Sequence, residues 1–225
     1  MIDASDLGLT IDGRRILDGV SFHVERGESV ALVGANGSGK TSILRCLLGL
    51  VPFTGRACID GHDVVREPVA ARARLGYVPQ KAAFSDVRAA EALAFVARLR
   101  GADPGGIPGL LRLVGLAAHA GERVRTFSGG MQQRLALAVA LLGDPPILLL
   151  DEPSASLDEE GQHTLAAVVA RLRAGGRTLL LASHRREEVA ALTDRVLRID
   201  GGRLGRPAPA SARVVALEER RGGRP

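Results

Sequence analysis

The residues best suited to chemistry lie in a glycine-rich segment, residues 34–41, with the sequence GANGSGKT. The segment matches G-x-x-x-x-G-K-[ST] and stands between an apolar run and a helical pattern, the context of a phosphate-binding loop. Glycines let the backbone approach phosphate closely, and the N–H groups that open a helix favour an anion. The segment predicts binding of a nucleoside triphosphate by Gly34, Asn36, Gly37, Ser38, Gly39, Lys40, Thr41 and Ser42.

The amino-acid composition singles out Lys40. The chain has 30 basic residues, and only Lys40 and Lys81 are lysines. A lysine at the one position where the motif requires it argues against the alternative, a glycine-rich surface turn. Lys40 is predicted to reach the β- and γ-phosphates, and the Thr41 hydroxyl is predicted to ligate Mg²⁺.

A pair of carboxylates, Asp151 and Glu152, follows the apolar run at residues 147–150. Acids at the carboxyl end of a buried parallel strand stand where α/β sheets bind their ligands. Asp151 is predicted to hold Mg²⁺ through a water, since this ion keeps much of its hydration shell. Glu152 is predicted to orient or deprotonate an attacking water. The alternative is a pair of acids that merely cap a surface strand.

Strands and helices must alternate to position these residues. Continuous apolar runs at 29–33 and 147–150 are typical of strands buried on both faces, and further strands are expected at 178–182 and 196–199. The intervening helical patterns predict a parallel sheet with helices on both faces. Period-two alternation between residues 7 and 24 predicts an antiparallel edge sheet, and residues 89–121 are expected to form at least two helices.

Length and composition bound the class of protein. A chain of 225 residues fits one α/β domain with a small appended subdomain, and 46% hydrophobic residues exclude wholesale disorder. No apolar stretch reaches the roughly 18 residues of a membrane span, and the acidic start does not resemble a signal peptide. Cys46 and Cys58 lack metal or redox spacing, so both are expected to be reduced core residues.

The net charge of +5 raises the question of nucleic-acid binding. Much of the excess comes from four arginines in the last thirteen residues: Arg213, Arg220, Arg221 and Arg224. Aromatic residues make up only 3% of the chain, so few side chains are available to stack on bases. No nucleic-acid partner is therefore expected.

Five motifs give the sequence a family resemblance. Residues 127–134, FSGGMQQR, resemble the signature motif of ATP-binding cassette (ABC) ATPases and lie just upstream of Asp151 and Glu152, as in that family. Residues 77–80, YVPQ, resemble the family's Q-loop, residues 156–158 its D-loop, and residues 182–184 the segment of its switch histidine. Together with the P-loop, residues 34–41, these motifs occur in family order, and the resemblance covers about residues 5–206.

The resemblance implies an α/β fold. Its P-loop NTPase core would have a mainly parallel sheet, an N-terminal antiparallel β subdomain and an inserted α-helical subdomain at about residues 81–143. The ATPase domain would span residues 1–206. Residues 207–225 are rich in Pro, Ala, Arg and Gly and are expected to form a weakly ordered tail.

The resemblance also implies a site shared between two copies. In the family, two domains stack head to tail, and each ATP lies between one P-loop and the signature of the other copy. This arrangement gives nucleotide-binding roles to Ser128, Gly129, Gly130 and Asp158. It gives catalytic roles to Glu152, His184 and Gln80, with Gln80, Thr41 and Asp151 around Mg²⁺. Ser128 could instead be an ordinary helix N-cap, and the two roles are compatible.

Three positions depart from the family pattern. Ile11 occupies the place of the aromatic residue that stacks on adenine, so weaker preference for ATP over GTP is expected. Phe127 replaces the usual leucine of the signature and Met131 its common glutamine. Neither change removes a backbone donor, and activity is expected to survive both.

The resemblance implies an ATPase subunit that powers a separate transmembrane permease. Residues 95–101, FVARLRG, are similar to the exporter branch, in which ATPase and permease are separate chains. The chain would then be cytoplasmic, bound to the inner face of the cell membrane through that permease. One alternative is an ABC ATPase without a transport role, which regulates a membrane or cell-division complex. A P-loop nucleotide kinase is a third hypothesis, but it leaves Ser128–Gly130 and His184 unexplained.

Overall fold

The computed structural model describes residues 1–84 and 86–205, so the predicted tail at 207–225 lies outside the described residues. The described strands are β1 (Ile2–Ile11), β2 (Arg14–Val24), β3 (Ser29–Val33), β4 (Thr54–Ile59), β5 (His62–Asp63), β6 (Leu75–Val78), β7 (Ile147–Asp151), β8 (Thr178–Ala182), β9 (Arg195–Asp200) and β10 (Arg203–Leu204). The described α-helices are α1 (Lys40–Leu47), α2 (Pro68–Ala73), α3 (Ala89–Arg100), α4 (Ile107–Leu113), α5 (Gly129–Ala140), α6 (Glu159–Ala174) and α7 (Arg186–Leu192).

The strands form two sheets. The larger has the order β10-β9-β3-β8-β7-β6, and its neighbours from β9 to β6 are parallel, whereas β10 is antiparallel to β9. The smaller sheet has the order β2-β1-β4-β5 and is antiparallel throughout. This architecture confirms the predicted α/β fold with a mainly parallel sheet and an N-terminal antiparallel sheet.

The central strands divide two hydrophobic cores. Along β7, Leu148 and Leu150 pack with residues of α3, α4, α5 and α6, whereas Leu149 faces a second core with α1 and the antiparallel sheet. Alternate residues of a strand point to opposite faces, so a strand between two cores must be apolar throughout. The apolar runs at β7 and β8 follow from this requirement, since each strand has residues in both cores.

The antiparallel sheet begins with the hairpin of β1 and β2. Its two turn residues, Asp12 and Gly13, have φ angles of 47° and 75°. Two successive left-handed residues are typical of the tight turns that match the twist of a hairpin. Asp12 and Gly13 therefore form the turn that joins β1 to β2.

Four short elements were not predicted from the sequence: β5, β6, α2 and β10. The most consequential is β6, because it is the edge strand beside β7 and leads directly to Gln80. No helix among residues 1–84 and 86–205 has the length and apolar character that a bilayer crossing requires.

Candidate nucleotide-binding site

The predicted chemical residues meet at one edge of the parallel sheet. The P-loop follows β3, Ser183 and His184 follow β8, and Asp151 ends β7. Gln80 comes two residues after β6, the next strand along the sheet. Ligands of open α/β sheets bind at this carboxyl edge.

Close packing and left-handed backbone explain the P-loop glycines. A Cβ on Gly34 would lie 2.2 Å from the carbonyl oxygen of Ile199, so no larger residue fits without a shift. Gly37 and Gly39 have φ angles of 77° and 112°, and Gly39 is the N-cap of α1. The Ser38 hydroxyl is buried within this loop and has no hydrogen-bond partner among residues 1–84 and 86–205. An unpaired buried hydroxyl is costly, and a phosphate oxygen is an acceptor that would satisfy it.

Lys40 is a buried cation held by backbone carbonyls and by a carboxylate. Its side chain is 6% exposed, and Nζ donates to the carbonyl oxygens of Gly34 at 2.9 Å and Ala35 at 3.2 Å. The Glu152 Oε1 atom lies 3.6 Å from the same ammonium. Buried charges need such partners. The ammonium therefore lies where the P-loop meets the carboxyl end of β7.

Thr41 and Asp151 place a hydroxyl and a carboxylate side by side. The Thr41 Oγ1 atom donates to Asp151 Oδ1 at 3.0 Å, and the Tyr77 hydroxyl lies 3.5 Å from Asp151 Oδ2. Burial raises the pKa of Asp151, and the hydrogen bond from Thr41 opposes that rise. Burial, together with the Asp151 charge, raises the pKa of Tyr77 to about 12, so its hydroxyl remains a donor. These oxygen ligands fit Mg²⁺, which prefers carboxylate and hydroxyl oxygens.

Glu152 has a strained backbone. Its φ angle is 47°, in the left-handed region, and its N–H donates to the carbonyl oxygen of Ala182 at 2.8 Å. The other described non-glycine residues with positive φ are Asp6, Asp12, Asp60 and Asp144. Aspartate tolerates this region better than glutamate, because its short side chain bonds the nearby backbone. Strain of this kind concentrates at functional sites.

His184 contacts the Glu152 carboxylate. Its Nδ1 atom lies 2.8 Å from Glu152 Oε2, while about half of the ring, 52%, remains exposed. The preceding Ser183 is fully buried; its N–H donates to the Leu32 carbonyl at 3.1 Å and its hydroxyl to Glu188 Oε2 at 2.5 Å. The turn after β8 is thus fixed, and the ring faces solvent beside a buried carboxylate.

Ser128, Gly129 and Gly130 form the start of α5. The Ser128 hydroxyl accepts a hydrogen bond from the Met131 N–H at 3.2 Å, so the N-cap reading is confirmed. Ser128 and Gly129 are exposed. No hydrogen bond joins these three residues to residues 34–42 in the described part of the chain. The start of a helix has backbone N–H groups whose geometry favours an anion.

Asp158 and Gln80 are also predicted residues that lie apart from the buried group. The Asp158 side chain caps α6, accepting from the Gly161 N–H at 2.9 Å. The Gln80 side chain is exposed, and the carbonyl oxygen before it, on Pro79, accepts from Gln133 Nε2 at 2.9 Å. Both residues therefore lie on the surface around the site.

A sequence model described as "ABC transporter" matches residues 17–155. The chain belongs to the ABC transporter family. It is 38% identical over 212 residues to the Nod factor export ATP-binding protein I of Paraburkholderia xenovorans, across 91% of this chain and 69% of that protein. It is 33% identical over 210 residues to the linearmycin resistance ATP-binding protein LnrL of Bacillus subtilis, across 91% and 68% of the two chains.

Solved structures agree with the family assignment. An ATP-binding subunit of an ABC transporter superposes with a TM-score of 0.84 at 28% identity, over 91% of this chain and 88% of that one. A bacterial Atm1-family ABC exporter with ATP bound also gives 0.84, at 29% identity, over 98% of this chain and 40% of that chain. The chain is thus an ATP-binding domain of the ABC type, and the predicted family is confirmed.

The structure brings some of the predicted site residues together and leaves others apart. Lys40, Glu152 and His184 form one contact chain, and Thr41 bonds Asp151. Three further residues beside the predicted site residues and motifs were not singled out from the sequence: Tyr77, Gln133 and Arg185. Tyr77 and Gln133 lie within quoted motifs, but only their tertiary contacts reveal what each side chain touches.

Proposed function

We propose that this chain is the ATP-binding and ATP-hydrolysing subunit of an ABC transporter that energises a separate transmembrane permease, for export. The arrangement of Lys40, Glu152 and His184 at the P-loop carries this proposal. The names of relatives support export: one is a Nod factor export ATP-binding protein, and others are linearmycin or daunorubicin resistance ATP-binding proteins. These names also favour transport over a purely regulatory ABC ATPase.

Each side chain of the site has a separate role in hydrolysis. Lys40 supplies positive charge to the β- and γ-phosphates, and the P-loop N–H groups hold their oxygens. Glu152 accepts a proton from the attacking water, whose oxygen then bonds the γ-phosphorus as the bond to ADP breaks. His184 orients the Glu152 carboxylate and faces the γ-phosphate. Mg²⁺, held by Thr41, Asp151 and Gln80, would neutralise charge on the phosphate oxygens.

A second copy of the chain would complete the site. In this arrangement Ser128, Gly129 and Gly130 of one copy, with Asp158, face the P-loop of the other. The exposed start of α5 supports this proposal, because its N–H groups and helix dipole suit a γ-phosphate. The permease would hold both copies at the inner face of the cell membrane, on the cytoplasmic side.

Purification from membranes tests the transport role. We expect a tagged chain, solubilised with detergent from its native host, to co-purify with a protein that has several predicted membrane spans. Mg²⁺-dependent ATP hydrolysis should rise when the two are reconstituted in vesicles. Retention of only water-soluble partners, with no rise in hydrolysis on reconstitution, would favour the regulatory alternative.

Ile11 is expected to weaken the preference for ATP over GTP. It ends β1 with 42% of its surface exposed, and an aliphatic side chain lacks the π-face that stacks on a base. We expect ATP and GTP dissociation constants within tenfold of each other, measured by calorimetry. Ile11→Tyr should tighten ATP binding by about 1–3 kcal/mol, the size of one stacked base, whereas Ile11→Leu should not. A tenfold preference for ATP that Ile11→Tyr leaves unaltered would contradict this.

A further inference from the structure

Arg185, the residue after His184, joins two other segments through one guanidinium group. Its Nη1 atom donates to Ser154 Oγ at 3.2 Å, and its Nη2 atom donates to Gln162 Oε1 at 3.2 Å. The side chain is half-buried, and the Arg185 N–H also donates to Ser183 Oγ at 3.1 Å. Arg185 is therefore fixed at its backbone and at both arms of its guanidinium fork.

Both acceptors hold the same stretch of chain, residues 154–158, which we call the D-loop segment. Ser154 begins it and is 4% exposed. Gln162 lies in α6, and its Nε2 atom donates to the carbonyl oxygen of Leu157 at 3.1 Å. The Leu157 N–H in turn donates to the Ser154 carbonyl at 3.1 Å. One guanidinium thus holds the segment at its start directly and near its end through the Gln162 amide.

We propose that Arg185 is a positioning residue that fixes the turn containing His184 relative to the D-loop segment. His184 contacts Glu152 within the subunit, and the segment ends at Asp158 and packs against the start of α5, where a Cβ on Gly130 would lie 3.3 Å from the Ser156 carbonyl oxygen. The position of the histidine and the shape of the surface offered to a second copy are therefore set together. The inference rests on the proposed two-copy site.

Guanidinium chemistry explains why arginine suits this place. Its planar fork presents donors in fixed directions, so two acceptors on different segments are held at a constant separation. A lysine ammonium is a point charge on a flexible stem and cannot fix both acceptors in that way. Arg185 makes no described hydrogen bond or ion pair with residues 34–42, so binding of the triphosphate by the P-loop should not depend on it.

Substitution of the full-length chain tests the proposal. Arg185→Met should lower kcat by about tenfold to a hundredfold, as expected when a reacting group is misplaced by about 1 Å, with KM for ATP within about twofold. The rate should also rise only at higher enzyme concentration than in the wild type, because the surface offered to the second copy is altered. Arg185→Lys should recover part of the loss. Arg186→Met, at the neighbouring exposed position, is the matched control and should retain wild-type rates.

A double-mutant cycle separates positioning from general stability. If Arg185 acts through Gln162, then Arg185→Met should change kcat less in a Gln162→Leu chain than in the wild type. Unchanged kcat and concentration dependence in Arg185→Met would overturn the inference. So would an equal loss in Arg185→Met and Arg185→Lys that merely follows a lowered melting temperature. Wild-type hydrolysis that is strictly proportional to enzyme concentration while light scattering shows only monomers with ATP and Mg²⁺ would, by contrast, refute the two-copy site itself and with it this inference.

Discussion

Glu152→Gln is expected to bind ATP and to hydrolyse it at least about 100-fold more slowly, since a general base contributes about 10²- to 10⁴-fold. Glutamine keeps the shape of the side chain and can still bond His184, but it cannot accept a proton from water. ATP binding should persist because the Lys40 ammonium remains available to phosphate. The substitution removes only the negative charge of the carboxylate that lies 3.6 Å from this ammonium. Steady-state phosphate release and titration with a fluorescent ATP analogue measure the two quantities.

The same variant should accumulate as a dimer with trapped nucleotide. When cleavage is blocked, the triphosphate remains to bridge the two copies, and light scattering should show twice the monomer mass only with ATP and Mg²⁺. Glu160→Gln, an exposed acid in the first turn of α6, is the matched control and should hydrolyse ATP normally. Undiminished hydrolysis by Glu152→Gln would refute its assignment as the base.

Local sequence predicts the strands that carry the site because their burial leaves a continuous apolar signal. The run at β7 is continuous because this strand lies between two cores, and the run at β3 is continuous because nearly all of its residues are buried. Strand β6, by contrast, has four residues and includes a glycine. A Cβ on that glycine, Gly76, would lie 2.2 Å from the Ala140 carbonyl oxygen of α5. The requirement for glycine in β6 therefore comes from a residue 64 positions further along the chain. No local sequence pattern contains that information.

The same reasoning separates the predicted site residues from those that were missed. Lys40, Thr41 and Glu152 belong to short motifs in which spacing alone implies a role. Tyr77 reaches Asp151 across 74 positions and Arg185 reaches Ser154 across 31, so their roles depend on tertiary contacts. The left-handed backbone of Glu152 is equally unpredictable from the sequence, because nothing in its residue type indicates a φ of 47°. Motifs predict the chemical groups, whereas the fold determines what holds them in place.

Ser128→Arg is expected to abolish hydrolysis while leaving ATP affinity of the monomer nearly unchanged. The substitution places a long cation at an exposed helix start, where it would block the approach of a second copy and its phosphate. Loss of the N-cap costs only about 1 kcal/mol, and Ser128→Ala reports that cost separately. Affinity should persist because Ser128 makes no described hydrogen bond with the P-loop. A large loss of monomer affinity would argue that the signature serves the site of its own subunit.

Mixing the two inactive variants decides whether the site is shared. In a head-to-tail pair of Glu152→Gln with Ser128→Arg, one site combines both defects. The other combines the intact Glu152 of one copy with the intact Ser128 of its partner. Equal amounts mixed before ATP is added should therefore regain up to about a quarter of wild-type activity, since half of the random pairs are mixed and each has one working site. If each subunit hydrolysed ATP alone, both copies would remain defective in every pairing and the mixture would stay inactive.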